Sequence, residues 1–367
     1  MSAPTQAPPQ VAVTANEPGR AGAVWAFLVR TVRSPVPRRL LAVPVVAFVV
    51  MLLVFIVAHM LPGDPVTQMT ATNSQITPEQ VAQLRRELGL SAPLPVQFAD
   101  YLKGIFTGNL GSSLYDGHSV TSLLGAALPV TVELALAAWL IATVVGVVTG
   151  MIAAHYKDTW IDGLLRTSAT VGFSLPWFVV ALLGAIVFGV ELNWLPILGR
   201  MPNSLNYQPT TGFVLIDAVV QNRYDLIWPW FQHLILPATT LAATTAGYLT
   251  RVTRSAFLDA RTQPFVRTAR MKGLTERAIA VKHVLRNSAV PILTMSGLQL
   301  GSLLGGAVIT ESVFSYPGVG SLLVQAAERR DYFLLQGTAL AIGLLFTAVN
   351  AAVDLAVLAV DPRLRRD

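Results

Sequence analysis

Residues 261–286 read RTQPFVRTARMKGLTERAIAVKHVLR. The stretch is strongly basic, yet long apolar segments flank it on both sides. It reads as two short helices joined at Gly273, followed by Leu274. The first carries Arg267, Thr268, Ala269, Arg270 and Lys272, with Phe265, Val266 and Met271 as apolar handles. The second opens with Thr275 as N-cap and Glu276 in the first turn, where the helix dipole favours an acid. Gly273 stands where a helix ends in a left-handed turn, the geometry that costs glycine least. A structured helix–turn–helix between two apolar spans suggests a docking surface for another protein.

The whole chain has the composition of a membrane protein. It holds 367 residues, 53% hydrophobic and 13% charged, with mean hydropathy +0.57, where a soluble domain carries about 25% charged residues. The fold class expected is an all-α integral membrane bundle. Six apolar segments of bilayer-crossing length stand out: Leu40–Leu61, Leu128–Ala154, Ala169–Gly189, Leu234–Thr250, Val290–Val313 and Leu334–Leu358. The fourth is rich in Ala, Thr and Gly, which suits a helix packed among others; Pro237 is expected near its start, where a missing N–H is harmless. There is no cysteine, which excludes a disulfide framework and thiol chemistry.

Basic residues orient the bundle. With the N-terminus in the cytoplasm, only Arg85, Arg86, Lys103, Arg200, Arg223, Arg329 and Arg330 of the 26 basic residues fall outside. Both termini and the Gly273 loop are then cytoplasmic, and the net charge of +6 reflects this bias, not a nucleic-acid partner. Residues 1–36 read as a disordered cytoplasmic tail and 37–367 as the transmembrane domain. The domain contains an external loop over 62–127 and a cytoplasmic loop over 251–288. In the external loop, Thr77-Pro78-Glu79-Gln80 is a capping box with Pro at the first helical position. It predicts a helix through Leu88 ending at Gly89, with a second, amphipathic helix over Pro95–Leu114.

Polar residues inside spans are candidates for a translocation path. Glu133 reads either as an interfacial residue held by a polar partner or as a path residue, and Asp354 as a structural ion pair or a relay. Ser174, Trp177, Ser296, Gln299 and Ser302 either face a central cavity or join helices. The five histidines show no metal spacing, and no catalytic cluster or phosphate loop of the GxxxxGK[ST] kind appears. This chain is therefore not itself an ATPase or another enzyme, and no bound cofactor is expected. A secondary transporter would need inverted repeats with broken helices; no convincing repeat is visible.

The stretch Arg267-Thr268-Ala269-Arg270-Met271-Lys272-Gly273-Leu274 resembles the EAA loop of importer-type ABC permeases in its dipeptide and oligopeptide form. Arg267 and Thr268 stand where Glu and Ala are general, a departure typical of that branch. Leu61-Pro62-Gly63-Asp64-Pro65, Leu128-Pro129-Val130-Thr131-Val132-Glu133-Leu134, Gly172-Phe173-Ser174-Leu175-Pro176-Trp177, Trp194-Leu195-Pro196, Glu311 to Gly320 and Asp361 to Arg365 look alike too. The likeness runs from about Leu40 to Arg365. It implies a cell-membrane permease subunit paired with a second, related permease. Two cytoplasmic ATPase subunits carrying ATP and Mg would dock on Phe265 and on 267–276, and an external binding protein would deliver di- or oligopeptides. Nickel or another small solute is the alternative cargo.

Overall fold

The computed structural model describes residues 35–60, 66, 77–87 and 89–360. The tail lies outside them except for its last two residues, which open helix α1 (Pro35–Met60). Leu61–Pro65, the C-terminal 361–367 and the side chain of Asp354 also lie outside. Every named element is helical, and the lone β-bridge pairs Ser112 with Ser119 among the described residues.

The capping box forms as expected. Thr77 N–H donates to Gln80 Oε1 (2.9 Å) and Gln80 N–H to Thr77 Oγ1 (3.4 Å), opening α2 (Pro78–Glu87). The amphipathic helix that follows, α3 (Leu94–Thr107), is shorter than its expected span to Leu114. Gly108 adopts φ 74° and closes the helix, so 108–114 run as loop. Next come α4 (Val120–His155), α5 (Trp160–Ser174) and α6 (Trp177–Gly184), the last continued by a π-helical run to Glu191. They are followed by α7 (Val214–Val220), α8 (Ile227–Arg261), α9 (Pro264–Met271), α10 (Glu276–Ala278), α11 (Leu285–Val313), α12 (Val319–Arg329) and α13 (Tyr332–Val360).

Three runs, Val120–His155, Glu276–Val313 and Tyr332–Val357, are long and apolar enough to cross a bilayer. The pair α5 and α6 makes a fourth if read as one span, but it is bent by 106°. The third expected segment is thus not one straight helix. Pro176 lacks the N–H needed for continuation, and Leu175 before it is forced to an extended ψ of 133°. The described apolar part of α1, Pro44–Met60, is shorter than a span. Helix α8 has 35 residues, but its Ala, Thr and Gly content keeps it below the apolarity of the others. It also starts before the expected segment, so Pro237 lies inside the helix.

That composition has a packing consequence. Helix α8 sits at the centre, against α4, α5, α6 and α11. A Cβ on Gly146 or Gly150 of α4 would lie 2.5 Å from Leu249 Cβ or 2.6 Å from Thr253 Cβ. A Cβ on Gly247 would meet the Ala169 carbonyl at 2.4 Å. Small residues let these backbones touch, which in lipid supplies the dispersion contacts that hold helices together. Thr149 and Thr250 hydroxyls join across the α4–α8 seam at 2.7 Å. On the outer faces, Leu53, Leu140, Val148, Leu183 and Phe346 stay exposed, as a surface facing lipid or another membrane subunit requires.

Gly150→Val should force α4 and α8 apart, and overpacking of this kind costs about 1–3 kcal/mol. Thermal unfolding in detergent should show a lowered midpoint. Gly125→Ala, where a Cβ meets nothing within 4 Å, should leave the midpoint unchanged or raise it.

Candidate functional site

The Gly273 loop has one buried face. Val266 and Ala269 of α9 pack with Ile279 and Val284 against Ala154 of α4 and Phe257 and Ala260 of α8. Phe265 leans on the same cluster. Of the residues expected to meet a partner, Ala269 is buried and Phe265 half-buried, so these two seat the loop. Arg267, Thr268, Arg270, Met271, Lys272, Gly273, Leu274, Thr275 and Glu276 are exposed, and Met271 leaves 74% of its surface open. Gly273 has φ 75°, with nothing within 4 Å of where a Cβ would sit.

A charged clamp closes the turn. Arg270 donates to Glu276 through Nε (2.7 Å) and Nη2 (3.2 Å), and Arg261 reaches the same carboxylate at 3.6 Å. Arg261 Nη1 also donates to the Ala154 carbonyl at 3.3 Å. Thr275 caps the second helix, accepting from Ala278 N–H at 3.3 Å. That second helix is not short. Helix α10 passes through a π-helical stretch, Ile279–Val284, straight into α11, so a helical run from Glu276 to Val313 joins the loop to the membrane. The loop offers a basic, partly apolar surface from which the chain continues as helix into α11.

The candidate path residues separate. Ser296 is buried; its hydroxyl meets Thr143 at 2.7 Å and its carbonyl accepts from Trp139 Nε1 at 2.9 Å. Gln299 is half-buried and Ser302 exposed. Steps of three along a helix rotate by 300°, so this stripe turns away from α4 as it rises. Ser174 is exposed at the α5–α6 break, and Trp177 lies against α11 at Gly306, where a Cβ would be 3.0 Å from the indole. The break also frees helix-end carbonyls at membrane depth, tolerated only inside protein or beside water. Beside it, the Arg251 guanidinium stacks 4.4 Å above the Phe173 ring.

Glu133 lies elsewhere, about 30 Å along α4 from Ala154. It pairs with Arg200 and accepts from Val214 N–H at 2.6 Å. Arg200 also donates to the Gly212 carbonyl at 2.7 Å. Next to this pair, Asp217 accepts from Tyr207 Oη (2.6 Å), Thr211 Oγ1 (2.7 Å) and the N–H groups of Thr210, Thr211 and Gly212. A third carboxylate, Glu311, accepts from Thr131 Oγ1 (2.7 Å) and Ser321 N–H (3.0 Å), while Thr131 Oγ1 accepts from Val319 N–H (2.8 Å). Thr131 and Glu311 together satisfy the first turn of α12. Gly318 leaves room for that carboxylate, since a Cβ there would fall 2.3 Å from Glu311 Oε1.

Sequence reading singled out Glu133 but not its partners. Asp217 carried a usable signal, an acid in the first turn of a short helix after Thr210-Thr211-Gly212. Arg200 carried none. Among the described residues no group of three His, Cys, Asp or Glu side chains is placed to hold a metal. Burial works to raise the Asp217 carboxyl, but the hydrogen bonds from Tyr207, Thr211 and Thr210 overcome it and hold it down to about 2. A depressed carboxyl stabilises above its unfolded value and loses that contribution as pH falls through the folded one. The Asp217 contribution should thus be complete above about pH 4 and vanish on acidification toward about 2. Amide exchange at Thr211 and Gly212 should be slow in the wild type, fast in Asp217→Ala, and the gap between them should close over that window.

Residues 146–366 match the family described as binding-protein-dependent transport system inner membrane component, and residues 35–135 match its N-terminal companion. The chain is 35% identical to the dipeptide transport system permease protein DppB of Alkalihalophilus pseudofirmus, covering 89% of this chain and 98% of that one. It is 39% identical to the di/tripeptide transport system permease protein DppB of Pseudomonas aeruginosa (87% and 94%). It is 38% identical to the probable D,D-dipeptide transport system permease protein DdpB of Escherichia coli (86% and 93%). An all-α bundle with apolar spans, a seated Gly273 loop and these matches place the chain in the family of inner-membrane components of binding-protein-dependent transport systems.

Proposed function

We propose that this chain forms half of the membrane path of an ATP-driven importer for di- and oligopeptides. The observation that carries the reading is the Gly273 loop: a basic surface with Met271 and Leu274 exposed, seated on an apolar cluster and continuous with α11. Relatives named for dipeptide and di/tripeptide transport supply the cargo. A second, related permease would complete the path. Two cytoplasmic ATPase subunits holding ATP and Mg would take the two loops, and an external binding protein would deliver the peptide. Both termini are then cytoplasmic, in keeping with the placement of Lys and Arg.

The mechanism is a two-state switch. Closure of the ATPase pair moves the docked loops, and each loop acts on its own α11 because the chain is helical from Glu276 to Val313. Helix α11 in turn packs at Gly306 against Trp177 of α6, next to the α5–α6 break. Peptide shifts this equilibrium only through different affinities for the two states. Arg267, Arg270 and Lys272 supply charge at the dock, Met271 and Leu274 apolar contact, and Glu276 holds Arg270 in place.

Valine at Gly273 would be strained by about 1–3 kcal/mol without any clash, since the space is open. Gly273→Val should insert and assemble, hydrolyse ATP, and lose uptake per ATP by roughly tenfold, whereas Gly273→Asn, which tolerates a left-handed turn, should keep most of it. Normal uptake in the valine variant would overturn the docking role. For cargo, ATPase activity of the reconstituted complex should rise only when the binding protein is loaded with di- and tripeptides. An active complex that ignores peptides but responds to nickel chelates would move the cargo and keep the machinery.

A further inference from the structure

A cavity of about 680 Å³ opens at the end of the bundle opposite the Gly273 loop. One wall is the loop from Gly199 to Pro209, another the start of α12, and the floor is the first turns of α4. Arg200 is the only strongly basic or acidic side chain on its surface among the described residues, and Glu133 offsets that charge. Asn203, Asn206 and Gln325 line it with exposed amides, while Leu123, Val130 and Leu322 give it an apolar base. Volumes of about 300–1,000 Å³, mostly apolar with a few placed polar groups, are what small ligands occupy.

The walls are held in shape. Gly199 N–H donates to the Phe314 carbonyl (2.9 Å), Arg223 to the Leu205 carbonyl (3.1 Å), and Tyr207 to Asp217 (2.6 Å). Arg200 is nine-tenths buried, and its Nε–H has no partner among the described residues. One lining residue that is neither glycine nor asparagine, Ser315 (φ 46°), sits in the left-handed region. Such strain persists where surrounding structure over-determines it, and it clusters at functional sites. A mere connector needs none of these tethers.

We propose that this cavity is a receiving site in which a short peptide rests, its backbone amides bonded by Asn203, Asn206 and Gln325, before it enters the path. An uncharged, amide-lined site suits the groups that all peptides share and discriminates little among their side chains. The inference rests on the peptide reading above and is tested separately from it.

The chain has no native cysteine, so Ala126→Cys, an exposed position on the cavity lining, is a single reporter within this subunit, and its labelling is read on this subunit in the complete transporter. Its rate of maleimide modification is followed with trialanine, with free alanine, and with peptide-free binding protein. Trialanine at ten times its dissociation constant should slow modification about tenfold, and free alanine should not. Adding Asn203→Leu with Gln325→Leu should raise the dissociation constant about tenfold through two lost hydrogen bonds, so the same trialanine concentration slows modification only about twofold, with the melting temperature unchanged. No protection by trialanine overturns the receiving site, as does protection by the peptide-free binding protein alone, which would mark a protein-docking socket. Wild-type trialanine uptake is scored independently: uptake without protection sinks the cavity assignment only, and absence of both, with another solute carried, sinks the peptide reading as well.

Discussion

One patch of apolar contact seats the Gly273 loop on the rest of the bundle. Val266, Ala269 and Ile279 are buried against Phe257, Ala260 and Ala154, which belong to α8 and α4, the most intimately packed pair in the bundle. Burying side chains of this size contributes about 1.5–3 kcal/mol each for the larger ones, enough to keep a turn with an exposed basic surface from flapping. The Arg270–Glu276–Arg261 clamp is half-exposed, and ion pairs of that kind contribute about 0–1 kcal/mol. Its role is geometric: it fixes where Arg270 points and ties α9 to α10 across a glycine that has no side chain to hold it.

The opposite end solves a different problem. Three carboxylates, Glu133, Asp217 and Glu311, are almost wholly removed from solvent, a costly arrangement unless each is paired or hydrogen-bonded. Every one is satisfied: Glu133 by a guanidinium and an amide, Asp217 by five donors, Glu311 by Thr131 and the first turn of α12. Their common effect is to fix loops that would otherwise be free to move over a membrane surface. Rigid loops around an open 680 Å³ cavity differ from rigid loops in a closed core, because the space they frame stays available.

Much of this was legible in the sequence, and the residues show why. Gly273, Thr275 and Glu276 act through local backbone rules, so spacing alone located the turn and its cap. The Thr77–Gln80 box is local in the same sense. What escaped depends on which surfaces meet. Ala269 and Phe265 look like any other residues of a basic helix, and only the position of α8 shows that they point inward. Ser296, Gln299 and Ser302 share a spacing but not an environment, since three residues are not a whole turn. The break at Leu175-Pro176 was written in the sequence, yet the apolar run through it masked a 106° bend. Arg200 is separated from Glu133 by 67 positions, beyond any local rule.

The bend between α5 and α6 is what connects the two ends. A straight span would satisfy its own backbone and present only side chains to its neighbours. A break at Pro176 leaves carbonyls without helical donors, and in an apolar medium each such group must find water or protein. Trp177 covers the break on the side of α11 at Gly306, a position where any Cβ would crowd the indole. Helix α11 continues from the Gly273 loop and passes the break, so in the proposed switch a rotation of α11 would change what covers those carbonyls. In that proposal, opening the path would exchange one set of contacts at the break for another. Such an exchange requires an element with two alternative packings, and the proposed switch would place it at the proline-broken helix beside Gly306.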